Sequence, residues 1–271
     1  MKPVRTIPRP PARSPFAHKG DCGTVLVVAG SHDMLGAAVL CANSAQRGGA
    51  GLVRVALPRA LQPLLPLAAP CATTLPRTIA AVRAAALAAD AVIAGPGLGN
   101  TAGTKTLVRA LLAASRGPLV LDADALNVLA PLRKPVRGPR AGVVLLPHPG
   151  EAARLLGCDA RTVQADRPQA LAELCRRSGA IVVLKGAGTL VGDGERCFTN
   201  RTGNAGMATA GAGDVLAGLL AALLAQGMQP FDAACLAVHA HGKAGDLVAR
   251  RLSPRGLVAS DLPQAIAEVL R

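Results

Sequence analysis

The chain has 271 residues, 51% of them hydrophobic, and 30 Lys and Arg against 16 Asp and Glu give a formal net charge of +14. That apolar content supports a sizeable core and excludes global disorder, while no uncharged apolar run reaches the ~18 residues that span a bilayer. With no Trp or Tyr and only three Phe, there is no stacking platform for single-stranded nucleic acid, so the dispersed arginines suit small phosphorylated molecules better. The seven scattered cysteines form no C-x-x-C pair and read as reduced thiols of a cytoplasmic protein rather than disulfides or zinc ligands.

Residues 1–15 carry five prolines and four basic residues with no acid, which predicts an extended, mobile arm over residues 1–17 with no part in any site. From residue 18 strands and helices alternate. A strand is predicted over 24–29, a turn over 30–36, a helix over 37–47 and a strand over 52–57. A weak strand near Cys71 precedes a helix over 79–89, the strand 91–94, the turn Gly95-Pro-Gly-Leu-Gly99 and a helix over 102–115. The strand 118–121 ends in Asp122-Ala-Asp124 before a short helix at 125–130, and the strand 143–146 ends in Pro147-His-Pro-Gly-Glu151. Helices over 151–156 and 164–177 lead to the strand 181–184, the turn Lys185-Gly-Ala-Gly-Thr189 and a hairpin of 189–192 with 196–199. Helices over 214–225, 230–249 and 260–269 follow. Nearly unbroken apolar strands alternating with helices predict a parallel sheet covered on both faces, so residues 18–271 read as one α/β domain. The Gly-rich and charged turns all fall at carboxyl ends of strands, the edge where open α/β sheets bind ligands.

Residues 203–213, almost all Gly, Ala, Thr or Asn, run straight into an apolar helix that opens with Asp214. Free N–H groups and the helix dipole at such a junction suit a phosphate. Asp214 is the only ionisable group there. It is either a helix cap, worth ~1 kcal/mol, or a general base beside a bound phosphate, and the loop alone leaves both open. The dipole favours its ionised form. Other motifs fail: Asn100 breaks the G-x-G-x-x-G fingerprint after Gly95, no Walker loop occurs, and His239 and His241, two apart on a helix, share no face.

Taken together, Lys19-Gly-x-x-Gly23, Ala29-Gly-Ser31 with Gly36-Ala-Ala38, Gly48-x-Ala-Gly51-Leu-Val53, Gly95-Pro-Gly-Leu-Gly99, Leu121-Asp-Ala-Asp-Ala-Leu-Asn127, Pro147-His-Pro-Gly-Glu151, Lys185-Gly-Ala-Gly-Thr189 and Gly203-Asn-x-Gly-Met-Ala-Thr209 with Gly213-Asp214 resemble the ADP-dependent NAD(P)H-hydrate dehydratases. The resemblance spans roughly residues 18–270. It implies a ribokinase-like three-layer α/β/α sandwich with a mainly parallel central sheet. It also implies dehydration of the (6S) hydrates NADHX and NADPHX with ADP (or ATP) as co-substrate and Mg²⁺.

By position, the resemblance implies that Ala37, Gly97, His148 and Asp214 contact the hydrate, that Lys185, Gly186, Ala187, Gly188, Thr189 and Gly213 hold the nucleotide, and that Asp214 is the catalytic base. Glu151 is the candidate Mg²⁺ ligand. The resemblance further implies a homotetramer that works alongside a hydrate epimerase, with the dehydratase here in its stand-alone form. Two positions depart from the family's Gly-Gly-Thr-Gly-Asp: Ala210 and Ala212. The first is expected to cost ~1–2 kcal/mol if it needs a positive φ, and the second removes a hydroxyl. The alternative is a vitamin-precursor kinase of the same fold, such as a hydroxyethylthiazole kinase, which shares the Gly-x-Gly-Asp end.

Overall fold

A computed structural model describes residues 1–271. Apolar residues on the strands alternate between two cores. Val25 and Val27 point into one cluster of buried residues, and Leu26 and Val28 point into the other. That is the packing a sheet adopts when helices cover both faces.

The elements in order are β1 (Lys2–Val4), β2 (Thr24–Val28), α1 (Leu35–Arg47), β3 (Leu52–Leu57), a 3-10 turn into α2 (Leu65–Ala68), β4 (Thr73–Pro76), α3 (Ile79–Ala88), β5 (Ala91–Ala94) and α4 (Ala102–Ala114). They continue with β6 (Leu119–Leu121), α5 (Asp124–Leu129), β7 (Val143–Leu145), α6 (Pro149–Leu156), α7 (Ala160–Ala165), α8 (Arg167–Ser178) and β8 (Ile181–Leu184). The chain ends with β9 (Leu190–Gly192), β10 (Arg196–Thr199), α9 (Ala212–Ala225), α10 (Pro230–Leu252) and α11 (Leu262–Val269). The ten strands form one sheet in the order β1-β10-β9-β8-β7-β6-β5-β2-β3-β4. Only β9 runs against its neighbours. Helices α1, α9, α10 and α11 contribute to one core, and α3, α4, α5, α6 and α8 to the other. The predicted three-layer sandwich is the fold observed.

The chain moves outward from β2 to β3 and β4, then returns to place β5 on the other side of β2. The order therefore reverses between β2 and β5, and a crevice opens there at the carboxyl ends. Gly30 N–H donates to the Pro96 carbonyl across it (2.8 Å).

Three expectations differ. The arm is not free, since β1 pairs in parallel with β10 as the outermost strand, and the Arg13 guanidinium donates to the Gly49 carbonyl (2.6 Å). Register pairing between residues almost two hundred positions apart leaves no local pattern to read. The helix expected over 164–177 breaks in two at Asp166, whose carboxylate accepts from Gln169 N–H (2.9 Å) and caps α8. The weak strand near Cys71 lies slightly later, as the edge strand β4. All seven cysteines are free, with Cys22, Cys41, Cys175 and Cys235 buried. No helix is long and apolar enough to cross a membrane.

Candidate active site

The strand ends and the start of α9 converge on one ion cluster. Lys185, just past β8, donates from Nζ to Asp122 Oδ1 at the end of β6 (2.6 Å) and lies 3.7 Å from Glu151 Oε2. A Cβ on Gly213 would sit 3.3 Å from Lys185 Nζ and 3.7 Å from Asp122 Oδ2, which places the first turn of α9 directly against the pair. Asp122 is 1% exposed and Glu151 5%, so without Lys185 both would be uncompensated buried charges. Burial alone would lower the Lys185 pKa. The Asp122 and Glu151 carboxylates outweigh that and hold it above its ordinary value, so it is an ammonium.

Asp214 faces this cluster from the first turn of α9. Burial pushes its carboxyl up to about 7, Asp122 adds to the rise, and Lys185 offsets part of it. Desolvation and the neighbouring Asp122 carboxylate thus oppose the helix dipole, which by itself favours the ionised form. Its carboxylate does not cap the helix. Gly211 occupies the cap position at φ 90 with no side-chain cap bond. That positive φ falls on Gly211 and not on Ala210, so the strain anticipated at Ala210 does not arise. Behind the loop, Cys41 Sγ donates to the Asp214 carbonyl (3.3 Å) and Ser44 Oγ to the Val215 carbonyl (2.6 Å), fastening α9 to α1.

His148 and Glu151 build the start of α6. His148 Nδ1 accepts from the N–H groups of Gly150 (3.0 Å) and Glu151 (3.4 Å), and Glu151 Oε2 accepts from His148 N–H (2.7 Å). With Nδ1 accepting, the ring proton is assigned to Nε2, which lies 3.4 Å from Glu151 Oε1 on a half-exposed ring. Burial, Lys185 and Arg154 keep His148 below its ordinary pKa. It is a neutral imidazole with one donor at the cleft. Burial raises Glu151, partly offset by Lys185.

At the β2/β5 crevice, Gly97 has φ 62, and a Cβ there would lie 2.9 Å from the Met34 carbonyl oxygen and 3.1 Å from the Ala37 Cβ. Ala37 and Gly97 therefore share one shallow wall. On the other side of the ion cluster, the Lys185–Thr189 turn closes on itself through Thr189 Oγ1 donating to the Gly186 carbonyl (2.8 Å). Arg167 braces it by donating to the Leu184 carbonyl (3.0 Å) and the Lys185 carbonyl (3.3 Å).

The structure adds Arg77, which the pattern did not single out, and shows what several other groups near the site do. The Arg77 guanidinium donates to the Gly30 carbonyl at the crevice; a lone arginine at a strand end was its only signal. Asp124 Oδ2 accepts from Gly99 N–H (2.8 Å) and pins the Gly95–Gly99 turn. Between the two aspartates Ala123 is held at φ 48, ψ −119, a strained backbone for an L residue. His241 is a buried helix histidine, lowered by burial to about 4.

A sequence profile of the NAD(P)H-hydrate dehydratase family matches residues 25–268. The chain belongs to that family. It is 43% identical over 96% of its length to a bifunctional NAD(P)H-hydrate repair enzyme of Moorella thermoacetica, covering 52% of that protein. It is 40% identical over 94% of its length to an ADP-dependent (S)-NAD(P)H-hydrate dehydratase of Neisseria meningitidis, covering 87% of it. The chain spans about half the length of the bifunctional relatives it matches. Among solved structures, the ADP/ATP-dependent dehydratase of Bacillus subtilis crystallised with ATP and Mg²⁺ superposes with a TM-score of 0.86, at 33% identity over 96% of this chain and 92% of that one. A hydroxyethylthiazole kinase of Pyrococcus horikoshii reaches 0.64 at 19% identity over 93% of this chain and 89% of that one, a likeness of fold alone.

Proposed function

We propose that this dehydratase-family chain removes water from the (6S) hydrate of NADH or NADPH at the expense of ADP, by phosphorylating the C6 hydroxyl and eliminating phosphate. The observation that carries it is Asp214: a carboxylate with no hydrogen-bond donor of its own, titrating at about 7, beside the Lys185 ammonium at the first turn of α9. A general base works best when its pKa lies near the working pH.

In this reading Ala37 and Gly97 lay the hydrate against the β2/β5 crevice, and His148 Nε2–H donates to it. Gly186, Ala187, Gly188, Thr189 and Gly213 present backbone to the nucleotide's phosphates, with Lys185 supplying charge. Asp214 takes the C6 hydroxyl proton as the oxygen forms a bond to the terminal phosphorus of ADP, and the bond from that phosphorus to AMP breaks. The ring nitrogen's lone pair then expels phosphate from C6, and loss of a C5 proton restores the dihydropyridine. Hydroxide has become phosphate, a far better leaving group. The protein's part is positioning and charge neutralisation.

Mg²⁺, when bound, neutralises charge on the phosphates. No three His, Cys, Asp or Glu side chains are grouped to hold a metal ion. Both Glu151 oxygens face His148 or Lys185. The residues present fit an ion carried on the nucleotide's phosphates with its own waters, a usual mode for Mg²⁺. Glu151 then positions His148 and Lys185 and is not a ligand. The substrate is a single epimer, so a hydrate epimerase would replenish it, and a homotetramer is the assembly in keeping with the resemblance. Incubating the protein with NADHX, ADP and Mg²⁺ should restore the NADH absorbance band with one AMP and one phosphate released per NADH. No recovery of the band with either ADP or ATP sinks the proposal.

A further inference from the structure

Helices α1 and α9 lie side by side with no bulk between them. A Cβ on Gly218 would overlap the Cys41 carbonyl oxygen and come within 2.9 Å of Ser44 Cβ, and one on Gly48 would lie 2.9 Å from Ala222 Cβ. The contact positions rise together, Cys41 with Gly218 and Gly48 with Ala222, so the two helices run parallel. Since α1 follows the carboxyl end of β2, α9 starts at that same edge.

Across this seam α1 sends two donors. Ser44 Oγ donates to the Val215 carbonyl (2.6 Å) and Cys41 Sγ to the Asp214 carbonyl (3.3 Å), and both residues are fully buried. Neither bond is needed to satisfy its acceptor, because a carbonyl inside a helix already accepts from the N–H four residues on. Ser44 does not need it either. A buried helical serine can bond the carbonyl four residues before it, as Ser178 Oγ does with the Leu174 carbonyl (2.6 Å). Ser44 reaches to another helix instead.

The carbonyl held by Cys41 belongs to the residue whose carboxylate faces the ion cluster. One turn earlier on the same face of α1 stands Ala37, against which a Cβ on Gly97 would lie at 3.1 Å. Between them Leu40 packs on Gly211, where a Cβ would overlap its Cδ1. One helix thus carries the crevice wall on its first turn and grips the start of α9 with its second.

We propose that Cys41 and Ser44 are positioning residues: they fix the first turn of α9 against α1, and so set how far the Asp214 carboxylate stands from a hydrate lying on the Ala37 wall. The inference rests on the reading of Asp214 as the base. A misplacement of about 1 Å can cost on the order of 10²-fold in rate, so a small slip of α9 suffices to matter.

A double-mutant cycle on the full chain, with kcat measured at high enzyme concentration, tests this. Ser44→Ala should lower kcat about tenfold, leave the hydrate KM within about twofold, and lower the melting midpoint by a few degrees. In an Asp214→Asn background the same change should leave the residual kcat within about twofold, because no base remains to be misplaced. Cys41→Ala should lower kcat in the same way, and Cys41→Ser, which keeps a donor, should recover most of that loss. Ser178→Ala removes an equally buried hydroxyl from α8 and should lower the melting midpoint with kcat unchanged. Unchanged kcat in Ser44→Ala overturns the proposal. So does a tenfold loss that persists in the Asp214→Asn background, because the contact would then serve the fold alone. Wild-type turnover in Asp214→Asn removes the base, and the positioning role with it. Wild type that leaves the hydrate untouched sinks the proposed activity and this inference together.

Discussion

Replacing Asp214 with Asn separates its chemistry from its packing. The carboxyl titrates at about 7 in the folded protein against an ordinary value of 3.8. The folded state therefore holds this proton more tightly than the unfolded chain. Stability falls as pH rises between those two values, is unaffected by this group below about 3.8, and levels off above about 7. About three units at ~1.36 kcal/mol each give a ceiling of about 4 kcal/mol. The side chain is partly exposed, and solvent screening brings the figure to about 1–3 kcal/mol. Asn keeps the shape without the charge. Asp214→Asn should therefore be more stable than wild type by about 1–3 kcal/mol at pH 8 and nearly equal to it at pH 4. Turnover should fall ~10²–10⁴-fold, the usual cost of a lost general base, while ADP affinity holds or rises. Denaturant unfolding at both pH values, with turnover and ADP calorimetry on the same protein, reads all three. Wild-type turnover would remove Asp214 from the mechanism. A stability difference that does not grow with pH would refute the environment assigned to it.

Lys185→Ala should destabilise by about 3–5 kcal/mol, because it leaves the buried Asp122 carboxylate uncompensated; pairing it with Asp122→Asn should recover most of that loss in a denaturant titration without restoring ADP binding. Gly97→Val should weaken hydrate binding at least tenfold while ADP affinity stays within about twofold, and the positive φ and the contact with the Met34 carbonyl should also lower the melting temperature, at about 1–3 kcal/mol. Ala123→Gly relieves a backbone of φ 48 and should stabilise by about 1 kcal/mol; an unchanged or lower melting midpoint would show that no strain resides there. In wild type, kcat/KM for the hydrate should rise with pH and level off just above 7, following the Asp214 carboxyl; a profile that is flat between pH 5 and 8 would exclude it as the base.

The alternation of apolar strands with helices was enough to specify a sheet covered on both faces, because burial on each side imposes its own period on the residues. Strands such as Val25–Val28 show this directly, with successive side chains feeding opposite cores. The turns at Gly95, Asp122, His148 and Lys185 were legible as site elements for a similar reason: Gly and charge at the end of a buried strand have no packing role. Pairing across the sheet was not legible. Asp122 and Lys185 are 63 positions apart, and only the order β8-β7-β6 brings their side chains together. The same holds for the arm, whose Lys2–Val4 finds its partner at Arg196–Phe198, and for Asp214, whose carboxyl is pushed up first by burial in the folded chain and then by the carboxylates delivered by β6 and α6. A sequence records which residues avoid water and where the chain turns. Distances between distant segments, and the electrostatics that follow from them, exist only once the sheet has closed its order.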